Sequence, residues 1–259
     1  MGSWFIFALG AIVGSFLNVC IYRMPRDLSI VLPGSFCTNC KTPIPWYENI
    51  PLLSYLLLRG RCPRCKTSFS VRYFIVELTS ALVWWFLWQK AGLSVQFAAS
   101  VFFFSTLIVT IVADFETGLI PDAITVPGMV AGLAFSVIGF GNFPETFWAW
   151  RLLESGLGLL AGGGVLFLTG WIGKLAFRKD SMGGGDIKLL AMMGAFLGVT
   201  KVMLVFLLAP FPALPLALWQ RFVNKQETIP FGPFLALAGA LLFVRGDDVL
   251  NFLAKLYGV

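Results

Sequence analysis

Long apolar runs separated by short polar stretches make up most of this chain of 259 residues. The runs lie near 4–22, 71–89, 93–113, 122–140, 154–176, 186–200, 201–220 and 232–254. A membrane-spanning helix needs about 20 apolar residues, so the pattern predicts an all-α polytopic membrane protein with about eight transmembrane helices. The long polar stretch predicts three parts: a first helix over 1–22, an extramembrane module over 23–70, and a membrane core over 71–259.

Composition supports this prediction. Hydrophobic residues make up 58% of the chain, charged residues make up 12%, and the mean hydropathy is +0.84. Soluble domains carry roughly a quarter charged residues, so a soluble protein is excluded. The alternate loops 23–70, 114–121, 174–188 and 221–231, together with Arg72, hold 14 of the 19 Lys and Arg residues. The positive-inside rule therefore predicts a protein of the cytoplasmic membrane in which these loops face the cytoplasm. Both termini are then predicted to lie on the opposite side of the membrane.

The net charge of +6 does not indicate a nucleic-acid partner, because the basic residues are spread over several loops.

The polar module contains two Cys-x-x-Cys pairs, formed by Cys37 with Cys40 and by Cys62 with Cys65. Cytoplasmic thiols stay reduced, and this spacing is typical of a tetrahedral four-thiolate zinc site, with iron as the alternative. Four thiolates close the coordination shell, so we expect a structural zinc ion. Cys20 lies in the first apolar run and is predicted to be a packing residue.

The chain contains no histidine, which excludes a Ser-His-Asp triad and a His-based metal centre. Carboxylates remain as candidate catalysts, and acidic residues near membrane depth are costly enough to suggest a function. Asp114 follows the third apolar run, and Asp186 opens the sixth after Gly183, Gly184 and Gly185. Both are predicted at cytoplasmic helix ends, where packing could pair them as an aspartic-protease dyad that shares one proton. Glycines before Asp186 would let an extended peptide approach closely.

Simpler interpretations exist for each residue. An Asp beside Gly at a helix end is often only a helix cap. Paired membrane carboxylates also serve as proton relays in transporters, although such relays usually lie near the membrane midplane. A third alternative is a non-catalytic membrane adaptor that docks a partner through its zinc module, in which case Asp114 and Asp186 would tolerate replacement by Asn.

Taken together, the residues resemble the bacterial type IV prepilin peptidases, which belong to the Gly-x-Gly-Asp membrane aspartyl protease class. The matching stretches follow the order of that family: 14–19 with 23–25, the two Cys-x-x-Cys pairs, 46–51, 60–62, 114–122, 183–188 and 229–234. One departure is Phe74, which follows Arg72 and Tyr73 where the family commonly has Pro. The geometry at the start of the second helix is therefore expected to differ.

The resemblance implies a multi-pass inner-membrane enzyme of type IV pilus or type II secretion systems. It implies that Asp114 and Asp186 are catalytic, supported by Gly183, Gly185, Thr117 and Lys188. The substrates would be prepilins or pseudopilins, whose basic leader is removed after a glycine at the cytoplasmic face. It further implies methylation of the new amino terminus with S-adenosylmethionine, associated with loop 23–70 and with Gly60. No Gly-x-Gly-x-x-Gly fingerprint supports this second activity, so it depends on the resemblance alone.

Overall fold

The structure is a computed structural model that describes residues 2–139, 147–178, 182–219, 222 and 230–257. Several residues named from the sequence lie outside this part: Phe140 of the predicted fourth helix, the loop residues Lys179, Arg221 and Lys225, and Ile229 of the last family stretch. The chain divides into two compact units, Met1–Val109 and Thr110–Val259.

Helices account for most of the described residues. They are α1 (Gly2–Arg23), α2 (Leu53–Leu57), α3 (Arg72–Ala91), α4 (Val95–Thr117), α5 (Asp122–Ile138), α6 (Trp148–Phe177), α7 (Gly184–Leu208), α8 (Pro210–Trp219) and α9 (Gly232–Tyr257). Two 3₁₀ turns, Met24–Arg26 and Trp46–Glu48, lie in the loop between α1 and α3. The same loop contains two isolated antiparallel bridges, Phe36 with Pro43 and Arg61 with Ser68. The all-α prediction is therefore confirmed for the described residues.

Four helical segments of the described chain are long and apolar enough to cross a membrane. They are Gly2–Arg26, Val95–Thr117, Trp148–Ala176 and Gly184–Trp219. The predicted boundary at 200/201 lies close to a break in α7: Gly198 has φ 75° and ψ 177°, which are not helical values. Gly198 therefore divides α7 into two helical segments joined at a kink, and the second segment ends at Leu208, before α8 begins at Pro210. The third helix also extends beyond its predicted end at 113, to Thr117.

Close backbone packing joins α1 to α3 in the first unit. A Cβ atom on Gly10 would lie 2.9 Å from Ala81 Cα, and one on Gly14 would lie 2.7 Å from Glu77 Cα. The Ser80 hydroxyl donates a hydrogen bond to Gly10 O at 2.8 Å. This Gly-x-x-x-Gly contact with an interhelical hydrogen bond is the packing expected between helices in a membrane.

Helix α7 forms the buried centre of the second unit, with residues 189–198 all buried. Glycines on its neighbours allow this: Gly162 of α6 lies against Leu190 O, and Gly128 of α5 lies against Met192. The Ser155 hydroxyl of α6 donates a hydrogen bond to Ala195 O at 2.6 Å. Because α7 is held from two sides, the residue at its amino-terminal end, Asp186, is attached to a rigid element.

Candidate active site and metal centre

Asp114 lies in the last turn of α4 and is 6% exposed. The helix ends one turn later because Gly118 adopts a φ of 65° and donates its N–H to Asp114 O at 2.9 Å, an ordinary glycine C-terminal cap. The Thr117 hydroxyl donates to Ala113 O at 2.8 Å and accepts from Leu119 N–H at 3.3 Å. Thr117 therefore shapes the helix end that carries Asp114.

Asp186 is the third residue of α7, after Gly184 and Gly185. Gly183 is the N-cap in an extended conformation, and a Cβ atom on it would lie 3.2 Å from Asp186 Oδ2, so the Asp186 side chain folds back toward the helix start. An acidic side chain at the third helical position is a known helix-start arrangement. The other carboxyl oxygen, Asp186 Oδ1, is buried and has no hydrogen-bond partner among the described residues.

Both carboxyls belong to the second unit. The chain between α4 and α5 connects their surroundings through Ile120. A Cβ atom on Gly185 would lie 2.8 Å from Ile120 Cβ, and a Cβ atom on Gly232 would lie 2.9 Å from Ile120 Cδ1. The two helix starts that carry Gly185 and Gly232 therefore contact the same isoleucine, and their glycines make these contacts possible.

Lys188 lies half a turn beyond Asp186 on α7. Its ammonium group forms an ion pair with Asp122 Oδ2 at 2.6 Å, and both side chains are largely exposed. Asp122 is the first residue of α5, so the pair connects the amino-terminal ends of α5 and α7. Lys188 therefore pairs with Asp122 rather than with a dyad carboxyl among the described residues.

Ile120 and Gly232 are the two contacts at this site that sequence reasoning did not identify. Gly232 was visible only as part of the stretch 229–234, which carried no assigned role. The structure places its backbone N–H 3.0 Å from Asp114 Oδ2, across 118 residues of chain. No local sequence pattern encodes such a pairing, because it depends on how α9 packs.

The four predicted cysteine ligands form one cluster in the first unit. The sulfur atoms of Cys37, Cys40, Cys62 and Cys65 all lie within 4.8 Å of one another, and Cys37 Sγ is 3.7 Å from Cys65 Sγ. A tetrahedral zinc site with Zn–S bonds of about 2.3 Å requires sulfur separations of roughly 3.8 Å. The donor set therefore fits a four-thiolate metal ion.

The two Cys-x-x-Cys segments have the same local geometry. In each, the first cysteine donates its N–H to the threonine five residues on, Cys37 to Thr42 O and Cys62 to Thr67 O. Thr67 also lies beside the second cysteine of its pair, and its hydroxyl and its backbone N–H lower the pKa of Cys65 to about 5. Cys65 is therefore a thiolate at neutral pH, the form that binds metal.

Gly60 lies two residues before Cys62 and has a φ of 63°. A Cβ atom there would lie 2.8 Å from the Cζ and hydroxyl oxygen of Tyr55, so its backbone packs directly against that ring. On its other side, Tyr55 packs against Phe74, with ring centroids 5.5 Å apart. Phe74, the departure from the family pattern, therefore connects α3 to the loop that carries Gly60.

A second contact holds the same loop on α3. Leu52 has a φ of 64° and donates its N–H to Glu77 Oε2 at 2.8 Å. A cleft of about 680 Å³ lies nearby, between one face of α1 and the loop segment 46–52. Its α1 side includes Ala11 and Ser15, and its lining is mostly apolar.

Comparisons with known proteins cover both units. The bacterial peptidase A24 N-terminal domain matches residues 8–91, and the type IV leader peptidase family matches residues 101–218. The chain is 39% identical over 311 residues to a prepilin leader peptidase/N-methyltransferase from Myxococcus xanthus, covering 93% of this chain and 90% of that protein.

Proteins with the same name from Pseudomonas putida and Neisseria gonorrhoeae are 34% and 33% identical over 275 and 265 residues. The alignment covers 96% of this chain and 93% of the Pseudomonas protein, and 93% and 90% in the Neisseria case. No solved structure matches the chain significantly. With this identity sustained over almost the whole sequence, the chain belongs to the type IV leader peptidase family.

Proposed function

We propose that this protein is a membrane-embedded aspartic endopeptidase that removes the basic leader of type IV prepilins or pseudopilins, and that it then methylates the new amino terminus. One observation carries the proposal: within one unit, the helix start at Gly232, whose N–H bonds Asp114, and the helix start at Gly185, which precedes Asp186, contact the same Ile120. The names of the relatives support both activities.

The proposed chemistry uses one carboxylate and one carboxylic acid. The carboxylate takes a proton from water, and the water oxygen attacks the scissile carbonyl carbon. The carboxylic acid gives its proton to the carbonyl oxygen, so a neutral tetrahedral intermediate forms. On collapse the C–N bond breaks, the newly protonated carboxyl gives its proton to the leaving nitrogen, and a hydroxyl of the intermediate returns a proton to the other carboxylate as the new C=O forms. The dyad then again holds one proton. The buried Asp186 Oδ1 has no hydrogen-bond partner among the described residues, so it is available to accept or donate a proton in this reaction.

We propose eight transmembrane helices: α1, α3, α4, α5, α6, α9, and two from the segment Gly184–Trp219, which the kink at Gly198 divides. Loop 23–70 and the dyad lie at the cytoplasmic face in this proposal. The distribution of Lys and Arg supports this orientation. A prepilin carries its basic leader on the cytoplasmic side of its apolar helix. In this topology the cleavage site meets the dyad at the membrane surface, and the substrate need not cross the bilayer.

The four-cysteine cluster holds zinc in this proposal, and the zinc ion supplies structure. Its four thiolates come from two segments 21 residues apart, so the ion ties together a loop that otherwise has only short helical turns. Two further contacts attach the loop to α3, Leu52 to Glu77 and Tyr55 to Phe74. We therefore assign loop 23–70 to one ordered module of the first unit.

Methyl transfer belongs to this module in our proposal, with S-adenosylmethionine as the source of the methyl group. The relatives' names and the position of Gly60 support the assignment. The apolar cleft of about 680 Å³ beside α1 provides space on the same unit for the apolar start of a cleaved pilin. We expect Ala11→Trp, which would place an indole in this cleft, to reduce methylation and to leave cleavage intact.

The alternatives from other classes fit less well. A proton-coupled transporter would place its carboxylates near the middle of spanning helices, whereas Asp114 lies in the last turn of α4 and Asp186 in the first turn of α7. An adaptor needs neither carboxyl. The discriminating experiment incubates the purified protein in detergent with a prepilin. Release of a leader peptide, identified by mass spectrometry, supports the peptidase, and an intact prepilin after prolonged incubation at high enzyme concentration contradicts it.

A further inference from the structure

The amino-terminal end of α9 contacts the proposed dyad directly. Gly232 is the first residue of α9, and its N–H donates to Asp114 Oδ2 at 3.0 Å in a buried environment. The first N–H groups of a helix have no partner inside the helix and are the positive end of its dipole. The Asp114 carboxyl therefore occupies the position that a capping side chain usually takes, but it arrives from a different helix.

The contact is also sterically tight. A Cβ atom on Gly232 would lie 2.8 Å from Asp114 Oδ2, 3.3 Å from Asp114 Cγ and 2.9 Å from Ile120 Cδ1. Real Cβ atoms are essentially never found at 2.8 Å from a neighbouring heavy atom, so any side chain here must displace something. The Asp114 carboxyl and the α9 backbone can approach this closely because position 232 is glycine.

We propose that Gly232 is a positioning residue for peptide cleavage, and that the amino terminus of α9 is the third component of the catalytic site beside α4 and α7. Its N–H fixes one oxygen of Asp114 and so sets the rotation of the carboxyl plane. The helix end favours the anionic carboxylate, which is the form that accepts a proton from water. The inference builds on the proposed function, because it assigns a role in the same reaction.

The central experiment compares Gly232→Ala with Gly164→Ala in cleavage of a prepilin. A Cβ atom on Gly164, in α6 of the same unit, meets nothing within 4 Å, so this control adds the same methyl group without a contact. Displacing a reacting group by about 1 Å costs roughly 100-fold in rate. We expect kcat to fall about 100-fold in Gly232→Ala with KM within about threefold of wild type, and Gly164→Ala to keep wild-type kinetics. Equal kinetics for the two variants would overturn the inference.

A double variant separates the contact with Asp114 from the contact with Ile120. Ile120→Val removes Cδ1, and with it the 2.9 Å contact to a Cβ atom at position 232, but leaves the contact with Asp114 Oδ2. We expect Gly232→Ala/Ile120→Val to remain defective relative to Ile120→Val alone. Recovery to the rate of Ile120→Val would overturn the inference, because it would assign the whole defect to packing of Ile120.

Gly232→Pro tests the N–H itself. Proline is tolerated at the first position of a helix, so it removes the donor where the helix can accept it. Loss of one hydrogen-bond donor to a reacting charge typically lowers kcat by about 10²–10³-fold. We therefore expect Gly232→Pro to cleave more slowly than Gly232→Ala. A rate equal to or above that of Gly232→Ala would overturn the role of the N–H.

Methylation of a pre-cleaved pilin checks the fold of the first unit for every variant, and an unchanged thermal unfolding temperature checks the second unit, which contains position 232. A Gly232→Ala protein that methylates normally but cleaves slowly supports the inference. If a variant loses both activities, Gly232→Ser at reduced expression temperature replaces it, and normal cleavage by that variant would overturn the inference. An Asp114→Asn protein that cleaves normally would instead refute the proposed dyad, so the two failures are distinguishable.

Discussion

Gly60→Ala should uncouple the two activities, and the structure gives the expected size of the effect. Alanine in the left-handed region costs about 1–2 kcal/mol, and position 60 has a φ of 63°. The new Cβ atom would also lie 2.8 Å from Tyr55 Cζ, and overpacking of this kind costs about 1–3 kcal/mol. Because Tyr55 is only half-buried and can shift, we take the lower end of the combined range, about 2 kcal/mol. That corresponds to roughly a 30-fold decrease in the equilibrium constant between the native loop and its displaced forms.

The assay is mass spectrometry of the mature pilin terminus, which reports cleavage and methylation in one spectrum. We expect methylation by Gly60→Ala to fall by up to roughly 30-fold and cleavage to remain, because the proposed dyad belongs to α4 and α7. Gly34→Ala is the matched control: Gly34 belongs to the same loop, has no positive φ, and its Cβ atom would meet nothing within 4 Å. If Gly60→Ala methylates as well as Gly34→Ala does, the structural reasoning about this loop is wrong.

Three further predictions concern the metal and the site. Purified protein should contain one zinc ion by mass spectrometry of metals, and Cys62→Ser should lose it whereas Cys20→Ala should retain it; zinc retained in Cys62→Ser would refute the cluster. Lys188→Met and Asp122→Asn should each lower the free energy of unfolding by at most about 1 kcal/mol, because exposed ion pairs contribute little. The double variant should lose less than the sum of the two single losses, and strict additivity would show that the two side chains do not stabilise each other. Gly185→Ala should slow cleavage roughly 100-fold because its Cβ atom meets Ile120, whereas Gly184→Ala, whose Cβ atom meets nothing within 4 Å, should not; equal rates would contradict this.

The helices could be predicted from the sequence because hydrophobic runs and helix-ending residues are local signals. Asp186 at the start of α7 follows from its preceding glycines, and Asp114 near the end of α4 follows from Gly118. The end of α4 was placed one turn too early, because residues 114–117, of which three are polar, continue the helix to Thr117. The boundary predicted at 200/201 lies two residues beyond the actual break at Gly198, because the run of apolar residues continues through the kink.

The candidate site could be predicted only in part. Asp114 and Asp186 were named as a pair from their chemistry and from the family pattern, and the structure brings their carboxyls into one unit. The contact of Gly232 with Asp114, by contrast, joins residues 118 positions apart and depends on a backbone N–H, which every residue except proline has. The same limit applies to Phe74, whose ring replaces a proline and packs against Tyr55. Tertiary packing, which has no period in the sequence, determines both contacts.

The most direct test of the central claim is cleavage of a prepilin by Asp114→Asn and Asp186→Asn, with methylation of a pre-cleaved pilin measured on the same preparations. An amide keeps the shape of the carboxyl but cannot accept a proton from water, so loss of activity reports chemistry. We predict that each variant fails to release the leader and still methylates the pre-cleaved pilin. Normal leader release by either variant would contradict the dyad.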